Sequence, residues 1–285
     1  MSSSPAFDTT AYRYPGERLT LAATVLAVLA VIALTATATV CLSALFVAAT
    51  VLFAYSRSRS HLREVVAQAD LVTPDTAPGL ARIVAETGTR LQPKSFRVYI
   101  SRQPGLNAYA FGLGSPKVVV LHSPLLQVMD EDEMRFVVGH ELGHVRLGHT
   151  WLNSLVGGLA GIPSQFALSA LLAMAFLWWN RACEHSADRA GLLACASLPK
   201  AESALVKLAV GAALDSPAAM ERALRSVDAE DDHPLAALSE SLSTHPMMIR
   251  RIEQLREYAT SESYVRLQAL VNGNLASAKG GPTTA

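Results

Sequence analysis

Three residues in the run Val137–His149 (VVGHELGHVRLGH) have the types and the spacing to do chemistry. His140 and His144 are four positions apart. On a helix that places both imidazoles on one face, about one turn apart and within reach of a single ion. Glu141 follows the first histidine. In the H-E-x-x-H arrangement it is not a ligand; it reaches a water bound to the metal and removes its proton. Two imidazoles and a carboxylate on an otherwise apolar helix are costly to bury unless something pairs them, and a zinc ion would do so.

A zinc site of this type needs a third ligand. The metzincin pattern would place a histidine at position 150, but Thr150 stands there, His149 is one residue off register and Leu147 replaces the required glycine. A gluzincin draws a glutamate from a later helix instead. No acidic residue occurs between Glu141 and Glu184, so Glu184 is the first candidate. Asp188 falls one turn further on the same face, placed to accept a hydrogen bond from the outer ring nitrogen of a metal-bound histidine. Cys183 beside Glu184 reads chiefly as a small buried residue. An alternative keeps the zinc and discards the chemistry. It is a non-catalytic membrane scaffold or interaction protein with a structural zinc site, whose fourth ligand would be His149, Cys183 or His245.

The elements that must position these groups are legible in outline. Asp130-Glu131-Asp132-Glu133 puts negative charge at a helix N-terminus, and Met134, Phe136, Val137, Val138 and Leu142 give that helix an apolar body. Before it, Phe96–Ser101, Ala108–Gly112 and Lys117–His122 read as strands, with Pro104-Gly105 and Gly114-Ser115-Pro116 as turns. An exposed sheet edge beside such a helix can hold an extended peptide as a further strand. A helix is expected from Thr73-Pro74-Asp75 to Gly88, and further helices over Lys200–Leu214, Pro217–Val227 and Pro246–Tyr258.

Composition bounds the rest. The chain has 285 residues, 51% of them hydrophobic, and a formal net charge of +0, so it lacks the basic footprint of a nucleic-acid binder. Three cysteines form no C-x-x-C pair, which fits a reducing compartment. Residues 1–18 are expected to be a disordered N-terminus and 274–285 a disordered tail. From Leu19 to Tyr55 there is no charged residue. Two spanning helices joined near Thr35–Thr39 fit this stretch of 19–55, and Arg13, Arg18, Arg57, Arg59 and Arg63 on its flanks would keep both ends, and residues 60–260, in the cytoplasm. A single tilted span is the alternative and would put the domain on the other side. Ser60–Asp70 reads as a helix leaving the membrane. Residues 151–180 are apolar again but broken by Gly157-Gly158, Gly161 and Pro163, and form either a membrane-associated segment or a buried helix pair.

Taken together, His140-Glu141-Leu142-Gly143-His144, the Glu184-x-x-x-Asp188 helix, Asn107-Ala108-Tyr109-Ala110-Phe111-Gly112 and Thr244-His245-Pro246 with Arg251-Ile252 resemble the HtpX-like membrane zinc metalloproteases, relatives of the CaaX prenyl endopeptidases. The likeness runs from about Ser60 to Tyr258. It implies a mainly α (α+β) fold, a helical gluzincin-like domain with a small sheet behind a transmembrane hairpin, in the inner membrane. It implies one zinc held by His140, His144 and Glu184, with Glu141 as base, and a protein or peptide substrate bound in extended form. It further implies that Asn107, followed by Ala108 and Tyr109, lies in the substrate-binding edge, and that His245 and Arg251 lie near the scissile carbonyl. The broken second apolar region departs from the family pattern, so cleavage specificity does not carry over.

Overall fold

A computed structural model describes residues 11–151, 154, 167–213 and 246–279, with backbone alone across 34–51 and 167–177. In chain order the elements are α1 (Glu17–Gln68), β1 (Ala69–Leu71), α2 (Pro78–Leu91), β2 (Phe96–Ser101), β3 (Ala108–Phe111), β4 (Lys117–His122), the single turn α3 (Leu125–Val128), α4 (Glu131–Leu147), α5 (Ala167–Cys195), α6 (Leu198–Ala213), α7 (Pro246–Ala259) and α8 (Glu262–Lys279). The fold is thus mainly helical with one small mixed sheet, the α+β class expected.

The sheet has the order β1-β2-β4-β3. β2 and β4 are parallel, with Val98 opposite Val119 and Ile100 opposite Leu121. β3 runs antiparallel to β4, with Ala108 opposite Leu121 and Ala110 opposite Val119, and forms one edge. Side chains alternate across the strands as a period of two demands. Val119, Leu121, Ala108 and Ala110 face the main core with α4. Val118, Val120, Tyr109 and Phe111 face the end of α1, where Val65 and Leu62 meet them. The short β1 pairs with β2 at Ala69–Ser101. It takes the last residues of the segment expected to be wholly helical.

The core is built around α4 and α5. Asp130 caps α4: its Oδ1 accepts from the backbone N–H of Asp132 and Glu133, both at 2.9 Å, while Glu133 Oε2 accepts from the N–H of Asp130 at 2.8 Å. This reciprocal box satisfies three of the helix's orphan donors. The two helices approach so closely that a Cβ added at Gly139 would stand 2.4 Å from Ala194 Cβ, and one at Gly143 would stand 2.6 Å from Ala190 Cβ. A Cβ added at Gly191 would likewise stand 2.8 Å from the Phe136 ring. These three glycines let one helix lie on the other without intervening side chains. At its far end α4 stops at Gly148, whose φ of 82° is the left-handed turn that ends many helices.

Several expectations need correction. The residues just before α1 are not a loose tail: Tyr12 is fully buried in the main core, Ser263 Oγ donates to Ala11 O at 2.9 Å, and Glu17 is 1% exposed. Ser, Thr and Pro with scattered charges gave a disordered composition, yet Tyr12 buries its ring in the core and the backbone of Ala11, Arg13 and Tyr14 is hydrogen-bonded to side chains of α5 and α8. The tail is shorter than expected, because α8 continues to Lys279 and packs Leu267 and Val271 into the core. α2 begins at Pro78 rather than near Pro74, a proline being well suited to the first helical turn. α1 is helical throughout, with no break assigned at Thr35–Thr39, since neither glycine nor proline occurs from Glu17 to Gln68. Near its two ends it meets other parts of the fold, Glu17 at His149 and His61 at Tyr109. Among the described residues, no helix is long and apolar enough to cross a membrane. The expected helix at Pro217–Val227 and most of 151–166 lie outside the described residues.

Candidate metal centre

Helix α4 presents His140 and His144 from successive turns, and their Nε2 atoms are 3.2 Å apart. Glu184 arrives from α5: Oε2 is 3.5 Å from His140 Nε2 and Oε1 is 3.5 Å from His144 Nε2. All three donor atoms lie within 4.8 Å of one another. Tetrahedral ligands at the 2.0–2.1 Å bond lengths of zinc are about 3.3 Å apart, close to the 3.2 Å between the two imidazole nitrogens and the 3.5 Å from each to one oxygen of the Glu184 carboxylate. Two imidazoles and a carboxylate are also its usual donors in catalytic sites. The residues fit the ion.

The outer ring nitrogens are both engaged, which aims the inner ones at the common point. His140 Nδ1 is 3.0 Å from Asp188 Oδ1. Asp188 in turn accepts from Arg251, at 2.8 Å from Nε and 2.6 Å from Nη2, while Arg251 Nη1 is 3.2 Å from Glu184 Oε2. Arg251 lines the cleft. Its guanidinium is committed to the two acids, however, so its first effect is to hold Asp188 and Glu184 in place. His144 Nδ1 is 3.0 Å from His149 Nδ1, and His149 Nε2 is 3.2 Å from Glu17 Oε1.

Burial and these contacts set the charges. Burial pushes the Glu141 carboxyl up to about 7, against the pull of His140 and Arg251. Burial, reinforced by His140, His149 and Arg251, holds His144 well below the usual histidine range, the neutral state a ligand needs. His140 is also opposed by burial, but Asp188 and Glu184 prevail and raise it. Burial would raise Asp188 too; Arg251 and His140 outweigh it and keep the carboxyl ionised.

Next to these three residues is a cleft of about 370 Å³ lined by Asn107, Ala108, Glu141, Glu184, Met248 and Arg251 among others. The edge strand β3 forms one wall. The backbone N–H of His122 donates to Asn107 O at 3.0 Å, so Asn107 and, two residues on, Tyr109 turn their main-chain groups towards β4. Those of Ala108 and Ala110 then point outward. Ala110 N–H donates to the Glu141 carboxylate. Asn107 and Ala108 both line the cleft at this edge. The Tyr109 side chain does not: it faces the opposite side of the sheet, with its hydroxyl 3.1 Å from His61 Nε2. Strand alternation, which the reading applied to the strand but not to this residue, decides it. His245 lies outside the described residues, and α7 starts at Pro246, in the helical turn expected for it.

Sequence reasoning missed Glu17, Ser186 and the part played by His149. Glu17, His149 and Cys183 form a second buried group with donor atoms within 4.8 Å of one another. Burial pushes the Cys183 thiol far up, so it stays protonated. His149 approaches the outer nitrogen of His144 rather than the inner one, and so stands behind the ligand. His149, one residue past the metzincin position, was the available signal. Nothing near Glu17 in sequence could have indicated it.

Comparison with known proteins gives a consistent picture. The model of peptidase family M48 matches residues 71–259. The chain is similar to the plastoglobule-localized metallopeptidase 48 of Arabidopsis thaliana chloroplasts, at 28% identity over 74% of this chain, and it spans 65% of that relative's length. It is also similar to the protease HtpX homologues of Kineococcus radiotolerans, 28% identical over 64% of this chain and 74% of the relative, and of Streptococcus uberis, 29% identical over 65% and 75%.

Proposed function

The chain belongs to peptidase family M48, and on that footing we propose that it is a zinc-dependent endopeptidase that hydrolyses peptide bonds in extended segments of protein substrates. The observation that carries this reading is the meeting of Glu184 from α5 with His140 and His144 from α4, at spacings one tetrahedral ion would span and beside a cleft. His140, His144 and Glu184 would hold one zinc per chain. When bound, the ion supplies a Lewis acid that acidifies water and polarises a carbonyl. Glu141 takes the proton from the attacking water and delivers it to the leaving amine. The outward main-chain groups of Ala108 and the outward carbonyl of Ala110 would pair with the substrate backbone as a further strand, with Asn107 at the same edge. Asp188 and Arg251 position His140 and Glu184. His245 and Arg251 would face the scissile carbonyl.

The uncharged stretch Leu19–Tyr55 supports anchoring in the cell membrane. A role in the quality control of membrane proteins would follow from that location. The test uses the purified full chain in detergent with an unfolded protein as substrate. Wild type should bind one zinc and cleave. Glu141→Gln should keep the zinc and lose about 10²–10⁴-fold in turnover. Equal cleavage by the variant would remove Glu141 from the reaction, and absence of zinc in the wild type would remove the metal.

A further inference from the structure

We propose that Glu17, acting through His149, is a positioning residue for the metal site, so that the segment leading into α1 is a working part of the peptidase and not only a tether. The inference rests on the reading of His144 as a zinc ligand. It goes beyond the family likeness, because residues 11–17 lie outside the matched range 71–259.

The geometry allows one arrangement of protons. To bind a metal, His144 must offer the lone pair of Nε2, which puts its proton on Nδ1. Nδ1–H then donates to His149 Nδ1 at 3.0 Å. With that nitrogen accepting, His149 carries its own proton on Nε2 and donates it to Glu17 Oε1 at 3.2 Å. The opposite tautomers would put a proton on His144 Nε2, where the ion belongs, and set a bare lone pair of His149 against a carboxylate. Glu17 thus selects the one state of His144 that binds metal. It does for His144, over two links, what Asp188 does directly for His140.

Glu17 is itself held. Arg13 and Ser186 donate to its carboxylate, and Ser186 Oγ accepts from Tyr14 N–H at 2.9 Å. Arg189 donates to Arg13 O at 3.2 Å and packs between the rings of Tyr14 and Tyr258. Glu17 and His149 are each 1% exposed. A buried carboxylate at the end of such a set of donors would be costly to keep without a use for its charge. Its oxygens are taken by His149, Arg13 and Ser186, which argues against a second metal shared with Cys183.

The test is zinc affinity of the full chain in detergent, measured by competition with a chromogenic chelator, alongside zinc stoichiometry and thermal melting. Glu17→Ala and His149→Phe should each weaken zinc about 10–100-fold, and the double variant should be no weaker than the worse single, because the two act in series. Leu80→Ala, which opens a cavity in the core away from the relay, should lower the melting temperature and leave zinc affinity unchanged. If Glu17→Ala does not fold, Glu17→Gln, equal in size, is read in its place and should weaken zinc by a smaller factor. Wild-type affinity in the Glu17 variant would overturn the proposal, as would an equal loss in Leu80→Ala. Two zinc ions in the wild type, one of them lost with Glu17, would also overturn it in favour of a metal at Glu17. Failure of the wild type to bind any zinc would instead overturn the metal reading beneath it.

Discussion

Gly143→Ala should cost this protein its metal through a single methyl group that touches no ligand. A Cβ at position 143 would stand 2.6 Å from Ala190 Cβ and 3.3 Å from Ala187 Cα. Carbon atoms in contact sit about 3.5–4.0 Å apart, so α4 and α5 must part locally by roughly 1 Å. Ala187 lies between Glu184 and Asp188, and both would move with it. Metal sites tolerate deviations of only about 0.2 Å in their ligand distances, so Glu184 should lose its place opposite His140 and His144. Overpacking of this kind costs about 1–3 kcal/mol, and at roughly 2–4 °C per kcal/mol for a domain of this size the melting temperature should fall by several degrees. The assays are zinc affinity by chelator competition, melting temperature, and cleavage of an unfolded substrate. Ala190→Gly added to Gly143→Ala removes the 2.6 Å clash and leaves only the 3.3 Å approach, so the double variant should regain most of the affinity despite about 1 kcal/mol lost to a second helical glycine. Gly139→Ala makes a comparable clash, 2.4 Å from Ala194 Cβ, but further from Glu184. It should lose stability with a smaller effect on zinc. Wild-type zinc affinity and cleavage in Gly143→Ala would refute the reasoning, since the spacing of the helices would then not be what places Glu184.

Other expectations are shorter to state. Arg251→Ala leaves the Asp188 carboxylate, whose side chain is 2% exposed, without its guanidinium; stability should fall by about 3–5 kcal/mol, and Arg251→Lys, lacking the two-pronged geometry, should recover only part of it in a melting experiment. Asp130→Ala removes the cap of α4 and should cost about 1 kcal/mol at neutral pH. Burial tends to raise the pKa of Asp130, but the Glu133 N–H and Lys200 outweigh it and the group ends below its ordinary value. Its stabilisation is therefore full above the unfolded pKa of about 3.9 and is lost as pH falls through the folded value. The gap between wild type and variant in acid titrations should narrow below about pH 4 rather than widen.

Local order was legible wherever one element contained its own signal. β2 and β4 have the bounds read for them, β3 ends one residue early, and the H-E-x-x-H pair lies on a helix capped at Asp130. Strand and helix periods, caps and turn residues act over a few positions, so they leave marks that a window can read. Tyr109 shows the limit even there, since the reading named a strand and did not ask which face its ring would take. β1 was missed because three residues beside Ser101 become a strand only when β2 is present to pair with them.

The sequence alone determined the chemistry available: two imidazoles and a base at helical spacing, one candidate acid after a long stretch without any, and hence a gluzincin-like ligand set. Tertiary structure decided how that set is held. The approach of α4 to α5 at Gly139, Gly143 and Gly191 depends on the absence of side chains at a contact whose two sides are some fifty positions apart in the chain. The joining of Glu17 to His149 depends on Tyr12 burying itself in a core assembled from nearly every element. Such contacts have no period and no fixed spacing, because the partners are brought together only when the whole chain closes around them.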